Sequence, residues 1–351
     1  MVIVMTATAD DADLRAVVEH VEGAGGSAFV SRGITRTIVG VVGDDDVLET
    51  VDVGLLPGVA EVIRITAPYK LVSSENHQSR STVSVAGVPI GPDTFTLIAG
   101  PCAVETAEQT LAAAQQARRA GATLLRGGAY KPRTSPYAFQ GLGVAGLRIL
   151  ADVRAETGLP VVTEIVDAAD IDIVAEYADM LQVGTRNMQN FALLQAVGGA
   201  GRPVLLKRGL TATYEEWLMA AEYIAQRGNL DIVLCERGVR SFEPAIRNML
   251  DVSAVPMVHA LSHLPVVVDP SHAAGRRDLV LPLARAAMAA GADGVMVDVH
   301  PQPERALCDA AQALSGGLLD ELTVAVATLP PLLGRRGAVT AGPVRAPSSA
   351  V

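Results

Sequence analysis

Residues 95–126 read FTLIAGPCAVETAEQTLAAAQQARRAGATLLR. Two short apolar runs, FTLIA (95–99) and TLLR (123–126), flank an Ala-rich stretch (107–120) that suits a helix. Strand, helix and strand in that order make one β-α-β unit, whose crossover helix joins parallel strands. The cadence then continues. Further apolar runs stand at 159–164 (LPVVTE), 179–183 (DMLQV), 203–207 (PVLLK), 231–235 (DIVLC), 264–269 (LPVVVD) and 294–299 (GVMVDV), with helical stretches such as 279–290 between them. Eight strands is the number that closes a (β/α)8 TIM barrel, expected here over 94–333. A doubly wound open sheet shares the cadence, but no Gly-rich dinucleotide fingerprint follows the first strand.

Upstream the pattern changes. Val2–Met5, Ser27–Ser31, Arg36–Val42 and Val59–Ile65 read as strands, and Asp10–Glu22 and Asp46–Leu55 as helices. This β-α-β-β-α-β order is that of a small ferredoxin-like α+β domain over residues 1–70. Residues 71–93 join the two domains through a polar linker (74–80) and a hairpin turning at a glycine in STVSVAGVPIG, whose place in the architecture the sequence leaves open. The stretch 334–351 lacks periodicity and reads as a disordered tail.

Composition narrows the class. Half of the 351 residues are hydrophobic but only 3% are aromatic, which suits a Val-, Leu-, Ile- and Ala-filled parallel sheet under helices. A formal charge of −10 argues against nucleic acid as a partner, so any gathered cations would form a local anion site. There is no basic leader and no apolar run of membrane-spanning length, and Cys102, Cys235 and Cys308 are too scattered for a disulfide framework. A cytoplasmic protein without membrane contact is the expectation.

In such a barrel, functional groups gather where strands end. The exits here carry Cys102; Arg126, Lys131 and Arg133; Glu164; Arg186; Lys207; Arg237; Asp269 and His272; Asp298 and Asp309. Six cations converging on one mouth of an acidic protein point to a highly charged anion, such as phosphates and a carboxylate. Cys102, His272, Asp298 and Asp309 form a mixed thiolate, imidazole and carboxylate set able to hold Mn²⁺, Fe²⁺, Co²⁺ or Zn²⁺. Taken singly, Cys102 also reads as a small buried apolar group, His272 as a core histidine and Asp309 as a helix-face charge.

The succession AGPCAVE, RGGAYKPRTSPYAFQGLG, GTRNMQNF, LLKRG, CERG and VVVDPSH resembles the class I 3-deoxy-7-phosphoheptulonate (DAHP) synthases, in the beta subclass with an N-terminal ferredoxin-like domain. The resemblance extends from residue 1 to about 333. Its KPRTSP stretch separates it from the related 3-deoxy-8-phosphooctulonate synthases. It implies condensation of phosphoenolpyruvate with erythrose 4-phosphate and water at the head of the shikimate pathway to the aromatic amino acids. By analogy Arg186, Lys207 and Arg237 would hold phosphoenolpyruvate, with Arg126 and Lys131 near its charged end. Arg133 and Thr134 would clamp the aldose phosphate, and Glu164 and Asp269 would complete the substrate-binding set. Cys102, His272, Asp298 and Asp309 would hold a divalent metal; Lys131 and metal-bound water are alternatives for the proton-transfer group. A homodimer or homotetramer is also implied, with an N-terminal domain that is either regulatory, binding an aromatic amino acid, or an oligomerisation surface. The sequence departs from the family at Asp298, usually Glu, at Cys308, usually Ser, and at Thr185 and Ala273, commonly Ala and Gly. Another aldose phosphate, or a weakly active paralogue with a binding role, are the alternative readings.

Overall fold

The computed structural model describes residues 1–33, 37–43, 52–63, 67–77 and 79–337. The N-terminal domain is built from β1 (Val2–Met5), α1 (Asp11–Gly23), β2 (Ser27–Arg32), β3 (Thr37–Val42) and β4 (Val59–Ile63) in an antiparallel sheet of order β2-β3-β1-β4. Asp10 starts α1 by accepting from the backbone N–H of Ala12 and Asp13, which satisfies donors that the first turn leaves free. Strand β1 is buried on both faces because its period of two divides its side chains. Met1, Ile3 and Met5 meet Leu14, Val17 and Val21 of α1, while Val2 and Val4 join Ile38 against Tyr69 and Leu71. A Cβ on Gly40 would lie 2.9 Å from Leu71 Cδ2, so glycine permits that close approach. The helix expected over 46–55 falls largely outside the described residues, and residues 52–55 form turns rather than helix.

The barrel strands are β7 (Thr94–Gly100), β8 (Leu124–Arg126), β9 (Val161–Ile165), β10 (Met180–Val183), β11 (Val204–Lys207), β12 (Ile232–Glu236), β13 (Val266–Val268) and β14 (Gly294–Asp298). All pair in parallel, and β14 closes on β7 from Gly294↔Thr96 to Asp298↔Gly100. Helices α2 (Ala107–Arg119), α3 (Val144–Thr157), α4 (Ile171–Tyr177), α5 (Phe191–Gly198), α6 (Tyr214–Ala225), α7 (Ala254–Leu261), α8 (Pro270–Ala274), α9 (Arg277–Ala289) and α10 (Gly316–Leu332) complete the layer outside. The fold is therefore a TIM barrel preceded by a ferredoxin-like domain.

The hairpin β5 (Val83–Val85) and β6 (Val88–Ile90) plugs the barrel floor. Its Val83, Val85, Val88 and Ile90 pack on Ile98, Leu124, Val162, Met180, Leu205, Val233, Val267 and Met296, one inward residue from each strand. Strand period then dictates the layer above. Two residues farther along stand Gly100, Arg126, Glu164, Gln182, Lys207, Cys235, Asp269 and Asp298, so a polar layer rests directly on an apolar one.

The connecting segment is strapped to the barrel. Glu222 of α6 accepts from the N–H groups of Leu71 and Val72, and His263 bonds Leu71 O at 3.0 Å and Ser81 Oγ at 2.7 Å. Buried Asp293 receives Arg80, His259 and Arg335. The tail expected to be disordered from 334 is ordered at its start: β15 (Arg336–Gly337) pairs with the beginning of β7, held there by the Arg335–Asp293 ion pair of 2.7 Å. An isolated charge partner, invisible to periodicity, is the reason. Residues 338–351 lie outside the described residues.

Candidate active site

A cleft of about 480 Å³ opens at the C-terminal ends of the strands, lined by Arg126, Lys131, Arg133, Arg186, Lys207 and Arg237. All six cations expected to converge do so. Arg126 is buried; its guanidinium lies 2.9 Å from Asp298 Oδ1 and donates to Pro101 O. Burial works against its charge, but Asp298 outweighs that and raises its pKa. Lys131 donates to Cys102 O at 2.9 Å and Sγ at 3.1 Å; burial again opposes its charge and Cys102 sustains it.

Lys207 and Arg237 differ in how they are held. Lys207 Nζ lies 2.5 Å from Asp269 Oδ2, an oxygen that also sits 2.8 Å from His272 Nδ1, while Oδ1 accepts from His272 N. Asp269, expected at the substrate, is fully buried behind the residues that line the cleft and holds Lys207 and His272 there. Arg237 has no carboxylate within ion-pair distance among the described residues and donates to backbone oxygens of His272 and Gly238. Burial lowers its pKa, as expected of a cation lacking its counter-ion.

On the outer side, Arg186 Nη2 donates to Thr134 Oγ1 at 3.2 Å, bringing the KPRTS and GTRN loops together beside Arg133. Glu164 is buried at the cleft wall, where a Cβ on Gly184 would come 1.9 Å from its Oε1. A side chain at 184 would push that carboxylate out of its present position. The cleft is also lined by Arg240, Arg247, Asn248 and Gln182, which the sequence reading missed. Gln182 could have been found from strand period. Arg240 and Arg247 stand inside the loop after β12, where no periodicity marks them.

The four expected metal ligands meet at one side. His272 Nε2 lies 3.7 Å from Cys102 Sγ, 3.8 Å from Asp298 Oδ2 and 3.9 Å from Asp309 Oδ2. Donors that share an ion through bonds of roughly 2.0–2.3 Å stand about 3–4 Å apart, so these groups fit a metal. His272 turns Nε2 inward because Asp269 holds Nδ1. Burial alone would depress its pKa, but Asp269 and Asp298 raise it to about 9. Asp309 has its other oxygen 2.9 Å from Arg247, and Gln312 Nε2 donates to Asp298 Oδ2 at 2.6 Å.

Residues 71–332 match the DAHP synthetase I family, and residues 1–67 match the DAHP synthase ferredoxin-like domain. The chain belongs to the DAHP synthetase I family. It is 48% identical to a phospho-2-dehydro-3-deoxyheptonate aldolase of Thermotoga maritima over 334 residues, 95% of this chain and 99% of the relative. A crystal structure of that aldolase, also called DAHP synthase, superposes with a TM-score of 0.76 over 96% of this chain and 98% of the other. More distant is a 2-dehydro-3-deoxyphosphooctonate aldolase of Syntrophotalea carbinolica, 38% identical over 66% of this chain and 90% of its own.

Proposed function

We propose that this member of the DAHP synthetase I family joins phosphoenolpyruvate to erythrose 4-phosphate, as a 3-deoxy-7-phosphoheptulonate synthase. The observation that carries the reading is the cleft itself, where unneutralised Arg237 and the Thr134–Arg186 pair frame two anion positions around one metal-ligand cluster. In this reading Arg186, Lys207 and Arg237 receive the phosphate of phosphoenolpyruvate, and Arg126 and Lys131 its carboxylate. Arg133 and Thr134 receive the aldose phosphate. Both substrates are then held with C3 of the enolpyruvate facing the aldehyde carbon. A divalent ion on Cys102, His272, Asp298 and Asp309, with Mn²⁺, Co²⁺, Fe²⁺ and Zn²⁺ all compatible with the donors, would polarise the aldehyde oxygen.

A C–C bond forms from C3, water adds at C2, and inorganic phosphate leaves with C–O cleavage. Lys131 stays protonated beside Cys102 and is placed to give a proton to the new alkoxide, while Glu164 faces the same space as an acceptor for water. Full-length similarity to the heptonate enzyme, N-terminal domain included, favours the four-carbon aldose over the five-carbon one. Assay with phosphoenolpyruvate and a panel of aldose phosphates tests this: erythrose 4-phosphate should give the highest kcat/KM, and preference for arabinose 5-phosphate would overturn it. Aromatic amino acid control through residues 1–67 and assembly into a homodimer or homotetramer belong to the same reading. Tyr137 and Phe242, 97% and 96% exposed on the mouth loops, support an assembly surface, which light scattering would test.

A further inference from the structure

We infer that Cys308 is a ligand of the metal centre in this chain, which makes it a two-thiolate site. The inference rests on the metal-dependent reading above. Two three-donor sets share Cys102: one with His272 and Asp298, the other with Cys308 and Asp309, and within each the donor atoms lie within 4.8 Å of one another. Cys308 is buried, 6% exposed, and clusters with Cys102, Ala103 and Phe139.

Backbone geometry explains how neighbouring residues serve one centre. In extended chain, side chains 308 and 309 would point to opposite sides. Asp309 instead adopts φ 54°, a left-handed conformation that Asp tolerates better than most non-glycine residues, and the donors of 308 and 309 both lie within 4.8 Å of Cys102 Sγ.

Asp298 supplies the complementary argument. Its Oδ1 faces Arg126 at 2.9 Å, and its Oδ2, 3.8 Å from His272 Nε2, also accepts from Gln312 at 2.6 Å, so this carboxylate is shared between the cluster and these neighbours. Cys308 brings its sulfur to the same cluster beside Cys102 and Asp309. On binding, Cys308 loses its proton to solvent and its sulfur donates a lone pair to the ion. The added negative charge is tolerated because Arg126, Lys131 and Arg247 contact Asp298, Cys102 and Asp309 respectively. A second thiolate softens the donor set and shifts preference from Mn²⁺ toward Zn²⁺ and Co²⁺.

Cobalt reads the thiolate count directly. Full-length apoprotein is loaded with one equivalent of Co²⁺, and the near-ultraviolet thiolate-to-cobalt absorption is compared among wild type, C308S, C308A and C102S, with circular dichroism checking the fold. Wild type should show about twice the intensity of C308S or C308A, and each of these should bind Zn²⁺ about tenfold or more weakly with a smaller change for Mn²⁺. Equal absorption in wild type and both Cys308 variants, with all of it lost in C102S, would leave the metal reading standing and overturn the second ligand. Absence of cobalt binding in the folded wild-type protein would instead remove the metal reading beneath it.

Discussion

Lys207 and Arg237 look equivalent in sequence, yet the structure separates their consequences. Among the described residues Arg237 is held by backbone oxygens, so Arg237→Ala should raise KM for phosphoenolpyruvate about ten- to a hundredfold, the loss of one charge-assisted contact. Lys207 also neutralises Asp269, which orients His272. Lys207→Ala should therefore lower kcat and metal affinity as well. Arg133→Ala should act on the aldose phosphate instead, and steady-state kinetics with each substrate varied would expose an exchange of the two sites. The same crowding predicts redox sensitivity: peroxide should join Cys102 to Cys308 in metal-free protein, two thiols and H₂O₂ giving a disulfide and two waters. Peptide mapping checks this, and a Cys102 that stays a free thiol, with full activity once metal is restored, counts against it. The site was legible at this scale wherever a residue ended a strand, because exits and period two fix what faces the mouth. Arg240, Arg247 and the burial of Asp269 depend on loop paths and contacts that no local pattern encodes.

Among elements, the eight barrel strands were readable as runs of apolar residues bounded by turns, and so was the hairpin, but not its place on the barrel floor. Its alternation marked β5 and β6, but the surface that accepts them is assembled from eight strands distant in sequence. The strap between domains read as a polar linker because its anchors are buried polar groups far away, Glu222, His263 and Asp293. These anchors should set the acid limit of stability. Burial drops the pKa of His263 to about 4 despite the hydrogen bond to Leu71 O. The folded state thus favours the neutral ring, a contribution fully present above pH 6.5 and lost as pH falls from there toward 4. For one such shift the loss is about 3 kcal/mol. Asp293, held to about 2 by His259, Arg80 and Arg335 against its burial, adds a further loss only from about pH 4 downward. Urea denaturation at pH 7 and pH 4.5 should show the first loss, and His263→Gln should flatten it. Equal slopes in the two proteins would mean that another group controls this limit.

At the scale of the molecule, no described residue of the N-terminal domain lines the cleft, yet its sheet packs Val2, Val4 and Ile38 against Tyr69 and Leu71 in an apolar cluster shared with the barrel. The place of truncation therefore matters. Deleting residues 1–67 removes the ferredoxin-like domain and keeps the Leu71 and Val72 N–H groups on Glu222. Deleting through residue 73 would strip that carboxylate of its backbone donors and of the chain packed on it. The shorter deletion should thus retain turnover with lower solubility, since Tyr69 and Leu71 become exposed, and the longer one should melt earlier. A truncated form of the Thermotoga maritima enzyme, matching 77% of this chain with a TM-score of 0.72, shows that a relative's chain adopts this fold in shortened form. If the domain is regulatory, Phe, Tyr or Trp should change the activity of the full chain and leave the protein lacking residues 1–67 unaffected. Full-length enzyme indifferent to all three would reduce the domain to a packing surface, and a folded but inactive truncation would show that it supports the chemistry after all.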